Sequence, residues 1–183
     1  MLRFAFTVSA FALTFIGKNH ALSKTDTNFA RASAFFALAG DYFLVVQNQN
    51  HNPGLFLFIF CQLFNYLRFT GLKATLTTVV ILPIVFIVLP GSLSLQVRFG
   101  IIYAIAIFCA LSGAIWAFKV RKYKDPNRHL IVIAMLFFVV CDVNVLLFNY
   151  PAAIQYQVYY LFLIWIFYLP AQLLLSLSRI KLN

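Results

Sequence analysis

The chain has 183 residues, of which 63% are hydrophobic and 10% charged, and its 18% aromatic content is led by 22 Phe. A soluble domain of this size buries only about two-thirds of the surface that its unfolded chain exposes, so it could not hide that much apolar area. Soluble, disordered and collagen-like classes are therefore excluded, and the expected class is an all-α polytopic transmembrane bundle. The formal charge of +10, from 14 Lys+Arg against 4 Asp+Glu, is read as basic loops that fix topology and touch anionic headgroups rather than as a nucleic-acid footprint.

In chain order, the apolar runs cover residues 2–16, 29–46, 53–67, 74–89, 97–118, 130–149 and 154–177, about seven spans in a single transmembrane domain over 1–183. These runs are continuous, with no period-two alternation, which argues against a membrane β-barrel. The first run is short and follows Arg3. The cations Lys18, Lys24 and Arg31 lie after it rather than before it, so it reads as a retained helix and not as a signal peptide. Pro53-Gly54, Pro90-Gly91 and Tyr150-Pro151 mark turns, and residues 68–73 separate the third and fourth runs.

The basic residues then orient the bundle. Lys18, Lys24, Arg31, Arg68, Lys73, Lys119, Arg121, Lys122, Lys124, Arg128, Arg179 and Lys181 all fall on one side of a seven-span topology, and Arg3 and Arg98 fall on the other. That bias places the N-terminus outside and the C-terminus in the cytoplasm. The compact chain with short loops favours a bacterial plasma membrane. Cys61, Cys109 and Cys141 lie within apolar runs without paired spacing, and read as packing residues. His20, His51 and His129 fall at loops or helix ends, so no metal or other cofactor is expected within the spans. No small-xxx-small pair marks an oligomer interface.

Of the four acids, Asp26 and Asp125 lie among loop cations and read as solvated charges. Asp41 and Asp142 lie inside the second and sixth spans, where an ionisable group is costly and faces a cavity or a partner. Both spans run outward. At about 1.5 Å per residue, Asp41 lies roughly 15 Å beyond Arg31 and Asp142 roughly 20 Å beyond Arg128, so the two sit at similar depth. Each precedes a short polar turn and a returning helix, a faint parallel repeat. Gln62 and Asn65 share a face of the third span, with Tyr66 beside them, and Tyr168 and Gln172 share a face of the seventh. Asn144 points elsewhere on its helix. Together these polar groups could line a cavity around the two acids.

These residues resemble the YhhN-like integral membrane family, which includes the lysoplasmalogenases. Gly40-Asp41 is similar to the first acid element. Asn52-Pro53-Gly54-Leu55-Phe56, with Phe60 to Tyr66, is similar to the turn and helix that follow it. Phe138 to Asp142 is similar to the second acid element, and Tyr168 to Gln172 to the last. The chain departs from the pattern at Gln62, where a His is expected, at Asn65, where a Tyr is expected, and at Cys141, where a Ser is expected. The family usually has eight spans, and loss of a leading one would itself place the N-terminus outside.

The resemblance implies hydrolysis of the vinyl ether of a lysophospholipid, giving a fatty aldehyde and a glycerophospho-base. Such ethers open by protonation at carbon. A carboxylic acid kept protonated near neutral pH by low dielectric or a neighbouring carboxylate would suit that step, and an ionised partner would stabilise the cation and activate water. Asp41 and Asp142 are the expected catalytic residues, read as an aspartate dyad. Gln62, Asn65, Tyr66, Tyr168 and Gln172 are the expected substrate-binding residues. The expected partners are a lysophospholipid and membrane lipids. Two buried carboxylates also fit a small transporter or its substrate-binding subunit, and an inactive lipid-binding member of the family is a third reading.

Overall fold

The computed structural model describes residues 2–16, 21–47, 49 and 51–181. Lys18, His20 and the side chain of Arg3 lie outside the described residues, as do Asn48 and Asn50 of the expected second turn. The described chain is helical, with one isolated β-bridge between Ala21 and Ile180. Seven α-helices follow the seven apolar runs: α1 (Leu2–Leu13), α2 (Lys24–Asp41), α3 (His51–Thr70), α4 (Leu72–Val88), α5 (Leu95–Lys119), α6 (Asn127–Phe148) and α7 (Gln157–Leu177). A π-helical turn, Tyr42–Gln47, continues α2, and a 3-10 segment, Pro151–Tyr156, leads into α7. Four stretches, Lys24–Gln47, Leu95–Lys119, Asn127–Phe148 and Ile154–Leu177, are long and apolar enough to cross a membrane.

Six helices form a closed ring. α1 packs on α2, α2 on α3, α3 on α5, α5 on α6, α6 on α7 and α7 back on α1, while α4 lies outside the ring against α3 and α5. The ring is tight because many of its contacts are alanines. Ala37, Ala110, Ala114, Ala117, Ala134 and Ala171 are all buried, and small side chains let helices approach without a hydrophobic drive from lipid. Phe58, Phe69, Phe138 and Met135 fill the space between. The outer surface is apolar too: Leu76, Val80, Ile84 and Ile87 on α4, Phe108 and Trp116 on α5, and Phe162 on α7 are exposed.

α2 and α3 extend beyond their apolar runs. α2 begins five residues before residue 29, because Ser23 is its N-cap and accepts from the backbone N–H of Asp26 at 3.0 Å. α3 runs past residue 67 to Thr70, because Arg68 turns inward instead of marking a loop. α5 closes with a Schellman motif: Arg121 stands at φ 53°, its N–H bonds Phe118 O at 3.2 Å, and the Lys122 N–H bonds Ala117 O at 2.9 Å.

The short helix α1 is fixed at its C-terminus by two arginines. Arg31 Nε donates to Thr14 O at 2.9 Å, and Arg179 Nη2 donates to Leu13 O at 2.6 Å and to Ile16 O. Cations are favourable there because the last carbonyls carry the negative end of the helix dipole. Ser176 Oγ adds a bond to Ala10 O at 3.0 Å.

Candidate functional site

The interior of the ring holds the two acids of the long apolar helices, Asp41 and Asp142. Asp41 is the last residue of α2, immediately before the π-helical turn, and it is buried. Single π turns inside helices often occur at functional sites, because they re-aim side chains at the cost of regular bonding. The Asp41 carboxylate accepts from two hydroxyls on the same oxygen. Thr7 Oγ1 of α1 and the Tyr168 hydroxyl of α7 each lie 2.7 Å from Oδ2. Gln172 Nε2, one turn along α7, donates to the Tyr168 oxygen at 3.0 Å. The chain of bonds thus runs from Gln172 through Tyr168 to Asp41, with Thr7 closing from the other side. These donors offset part of the desolvation that a buried carboxyl suffers.

Close backbone approach makes this placement possible. A Cβ on Gly40 would lie 2.7 Å from the Phe58 ring, and a Cβ on Gly54 would lie 2.6 Å from Leu44 and 3.2 Å from Gly40 O. Only glycine at both positions lets α2 and α3 come together beside Asp41.

Asp142 lies on α6, half-buried, and accepts from the Tyr103 hydroxyl of α5 at 2.8 Å. No hydrogen bond joins the two carboxylates among the described residues; each is held by its own tyrosine. One ring connects the two holders. The Phe58 centroid is 6.0 Å from that of Tyr103 and 6.4 Å from that of Tyr168, edge-on to both. Phe138 and Trp165 pack edge-on against Tyr168 from other sides, each at 5.6 Å. Edge-to-face contacts of this kind fix ring orientation and contribute about 0.5–1.5 kcal/mol each. Both carboxylates lie within electrostatic reach of the buried thiols Cys61 and Cys141.

The α3 face toward the ring interior carries the other expected residues. Cys61 Sγ lies 3.3 Å from Ser33 Oγ, and Asn65 Nδ2 donates to Gln62 Oε1 at 3.4 Å. Gln62 and Asn65 are both fully enclosed, and Gln62 Nε2 has no hydrogen-bond partner among the described residues. An unmet buried donor costs about 1–3 kcal/mol, so an acceptor arriving there is favoured. Tyr66 is not brought into this network. It is half-buried and its ring packs over Gly113 of α5. Asn144 bonds its own helix at Val140 O. Among the described residues no three His, Cys, Asp or Glu side chains converge in a way that could hold a metal ion.

Sequence reasoning missed Thr7, Tyr103 and Ser33. A hydroxyl in an apolar run was a visible signal for each, but only the fold says which acid or thiol it meets.

Asp26 requires a correction. It is not a solvated loop charge: Arg68 Nε lies 3.0 Å from its Oδ1 and Arg68 Nη2 2.9 Å from its Oδ2, with both side chains buried. The Tyr123 hydroxyl lies 2.8 Å from Asp26 Oδ1 and 2.9 Å from Arg68 O. Arg68 Nη1 also donates to Ser178 Oγ at 3.0 Å, and Asn127 Nδ2 donates to Ser178 O at 2.8 Å. Lys122 Nζ caps the end of α3 at Arg68 O and Phe69 O, 2.9 and 3.0 Å away. Burial pushes the Tyr123 phenol well up, which keeps it a donor, and burial draws the Lys122 ammonium down against the pull of Asp26. Every arm of this bidentate pair is used, which identifies it as a clamp joining α2, α3, the α5–α6 connection and the end of α7. The clamp and the arginine cap of α1 gather five chain segments at one end of the bundle. Asp125, by contrast, is exposed and pairs with Arg128 and His129.

No family model, curated protein or solved structure matches the chain.

Proposed function

We propose that the chain is a seven-span membrane hydrolase of the lysoplasmalogenase type, with Asp41 and Asp142 as its acid–base pair. The observation that carries this reading is two carboxyls inside an apolar helical ring, each held by a tyrosine, with one phenylalanine packed between those tyrosines. The open amide of Gln62 on the same interior face supports it.

In this reading one protonated carboxyl delivers its proton to the β-carbon of the vinyl ether, leaving an oxocarbenium ion. Water adds to that ion and gives its proton to the other carboxylate. The hemiacetal then collapses, its hydroxyl proton passing to the departing glycerol oxygen, and fatty aldehyde leaves with the glycerophospho-base. The proton held by the second carboxylate returns to the first, so the cycle consumes only water. Tyr103 and Tyr168 hold the two groups in register, and Gln62 Nε2 and Asn65 orient water or the glycerol hydroxyl. The family resemblance of Gly40-Asp41, Phe138 to Asp142 and Tyr168 to Gln172 supports the choice of substrate.

The topology proposed with it has the N-terminus outside and the C-terminus in the cytoplasm of a bacterial plasma membrane. Its support is that the clamp and the cap bring Arg31, Arg68, Lys122 and Arg179 to one end of the bundle, near the basic loop around Lys119–Arg128.

The test is fatty-aldehyde release from 1-alkenyl lysophospholipid by the purified protein in lipid vesicles. Release above protein-free vesicles supports the reading. No release from folded protein with either choline or ethanolamine headgroups contradicts it and favours binding or transport.

A further inference from the structure

On the opposite side of α3 from the carboxylates, α3, α4 and α5 enclose an apolar groove of about 680 Å³. Phe60, Leu63 and Leu67 of α3, Val79 and Pro83 of α4, and Phe99 of α5 are among its walls. Its volume lies within the range of about 300–1,000 Å³ usual for ligand sites. Its floor is Ile59, Leu82 and Ile102, whose small core with Ala106 also packs against Tyr103. The groove follows the length of α4, about 25 Å at 1.5 Å per residue. A slot of that length, shape and dryness matches an acyl chain.

The groove has one charged end. Arg98, in the first turn of α5, lies with its guanidinium carbon 4.4 Å above the ring of Phe86, a groove residue, and Nη2 donates to Phe86 O. No carboxylate among the described residues forms an ion pair with it. Its Nε is buried and has no hydrogen-bond partner among the described residues. A guanidinium held at the mouth of an apolar slot with a donor still open is complementary to a phosphate oxygen attached to a hydrocarbon tail.

We infer that this groove is a binding site for one anionic phospholipid of the bilayer, with an acyl chain lying between α3 and α4 and its phosphate on Arg98. The lipid lies on the far side of α3 from Asp41 and is a resident ligand rather than the hydrolysed substrate, so the inference stands apart from the proposed reaction. Lys73 is exposed at the other end of α4, and it makes the competing prediction of a lipid held the other way round.

The experiment is native mass spectrometry of detergent-purified protein, delipidated and then given dioleoyl phosphatidylglycerol or dioleoylglycerol. Phosphatidylglycerol is expected to remain as a single bound molecule, and dioleoylglycerol is not. Arg98→Gln should weaken retention about tenfold, the loss of one charge-assisted bond, whereas Lys73→Gln should leave it unchanged. Val79→Trp, which fills the groove and leaves Arg98 intact, should abolish retention while circular dichroism shows the helical fold unchanged. Equal retention of the two lipids, no retained lipid on wild type, a loss caused by Lys73→Gln instead of Arg98→Gln, or full retention by folded Val79→Trp would each overturn the assignment.

Discussion

Asp41 and Asp142 differ in their surroundings. Asp41 is buried with two hydroxyl donors, while Asp142 is half-buried with one. In the proposed reaction neither can be spared, since one carboxyl gives a proton and the other takes one. Replacing either by Asn is expected to lower turnover by about 10²–10⁴-fold, the usual contribution of a positioned acid or base. Asp26 makes a different prediction. Asp26→Ala leaves the Arg68 guanidinium buried without its partner, and breaking such a pair costs about 3–5 kcal/mol. Denaturant unfolding in detergent should therefore show a large loss for Asp26→Ala and a smaller one, about 1–3 kcal/mol, for Tyr123→Phe. Asp125 supplies a pH test. Its carboxyl is held below the usual carboxylate range, first by the hydrogen bond from Arg128 and further by the charges of Arg128 and His129. A depressed carboxyl stabilises the fold above its ordinary value of about 4 and loses that contribution as pH falls through the folded value. The melting-temperature gap between wild type and Asp125→Asn should thus be present at pH 6 and close on acidification towards pH 3. A gap that persists unchanged would contradict the pairing.

At the scale of elements, the close approach of α2 and α3 controls the site. Gly40→Ala would push on Phe58, whose ring packs against both tyrosines that hold the acids. Aldehyde release should fall more than stability does, as read by activity and melting temperature on the same preparation. Arg121 offers the opposite change. It holds a left-handed conformation at φ 53° that disfavours residues with a Cβ, so Arg121→Gly should raise stability by up to about 1 kcal/mol. The apolar runs told where the helices are because lipid demands long hydrophobic stretches whatever their partners. Their ends were less legible. Lys24, Asp26 and Arg68 read as loop charges by hydropathy, although Ser23 with Asp26 three residues later is a capping signal that could have moved the start of α2. Ala110 and Ala114 of α5 are spent inside the ring, on contacts of α5 with its neighbours, whereas Ala106 joins the small core beside α4.

At the scale of the molecule, the gathering of helix ends is what hydropathy could not supply. Placing Arg68 of α3 on Asp26 of α2 depends on contacts 42 residues apart, and Tyr168 reaches Asp41 across 127. Sequence alone named Asp41, Asp142, Gln62, Asn65, Tyr168 and Gln172 because polar groups in apolar runs stand out. Tyr66, also named there, has interior neighbours along α3, while its own ring packs over Gly113 of α5. Closure of the ring through α1 also makes Thr7 part of the Asp41 environment, so the first helix contributes to the site rather than merely preceding it. The proposed reaction therefore needs two carboxyls acting together inside one closed bundle. Its most direct test is the initial rate of fatty-aldehyde release from 1-alkenyl lysophospholipid by wild type, Asp41→Asn and Asp142→Asn, each verified as folded by circular dichroism. Wild type is expected to release aldehyde and either variant almost none; undiminished release by a folded Asp41→Asn or Asp142→Asn variant would contradict the two-carboxyl reaction.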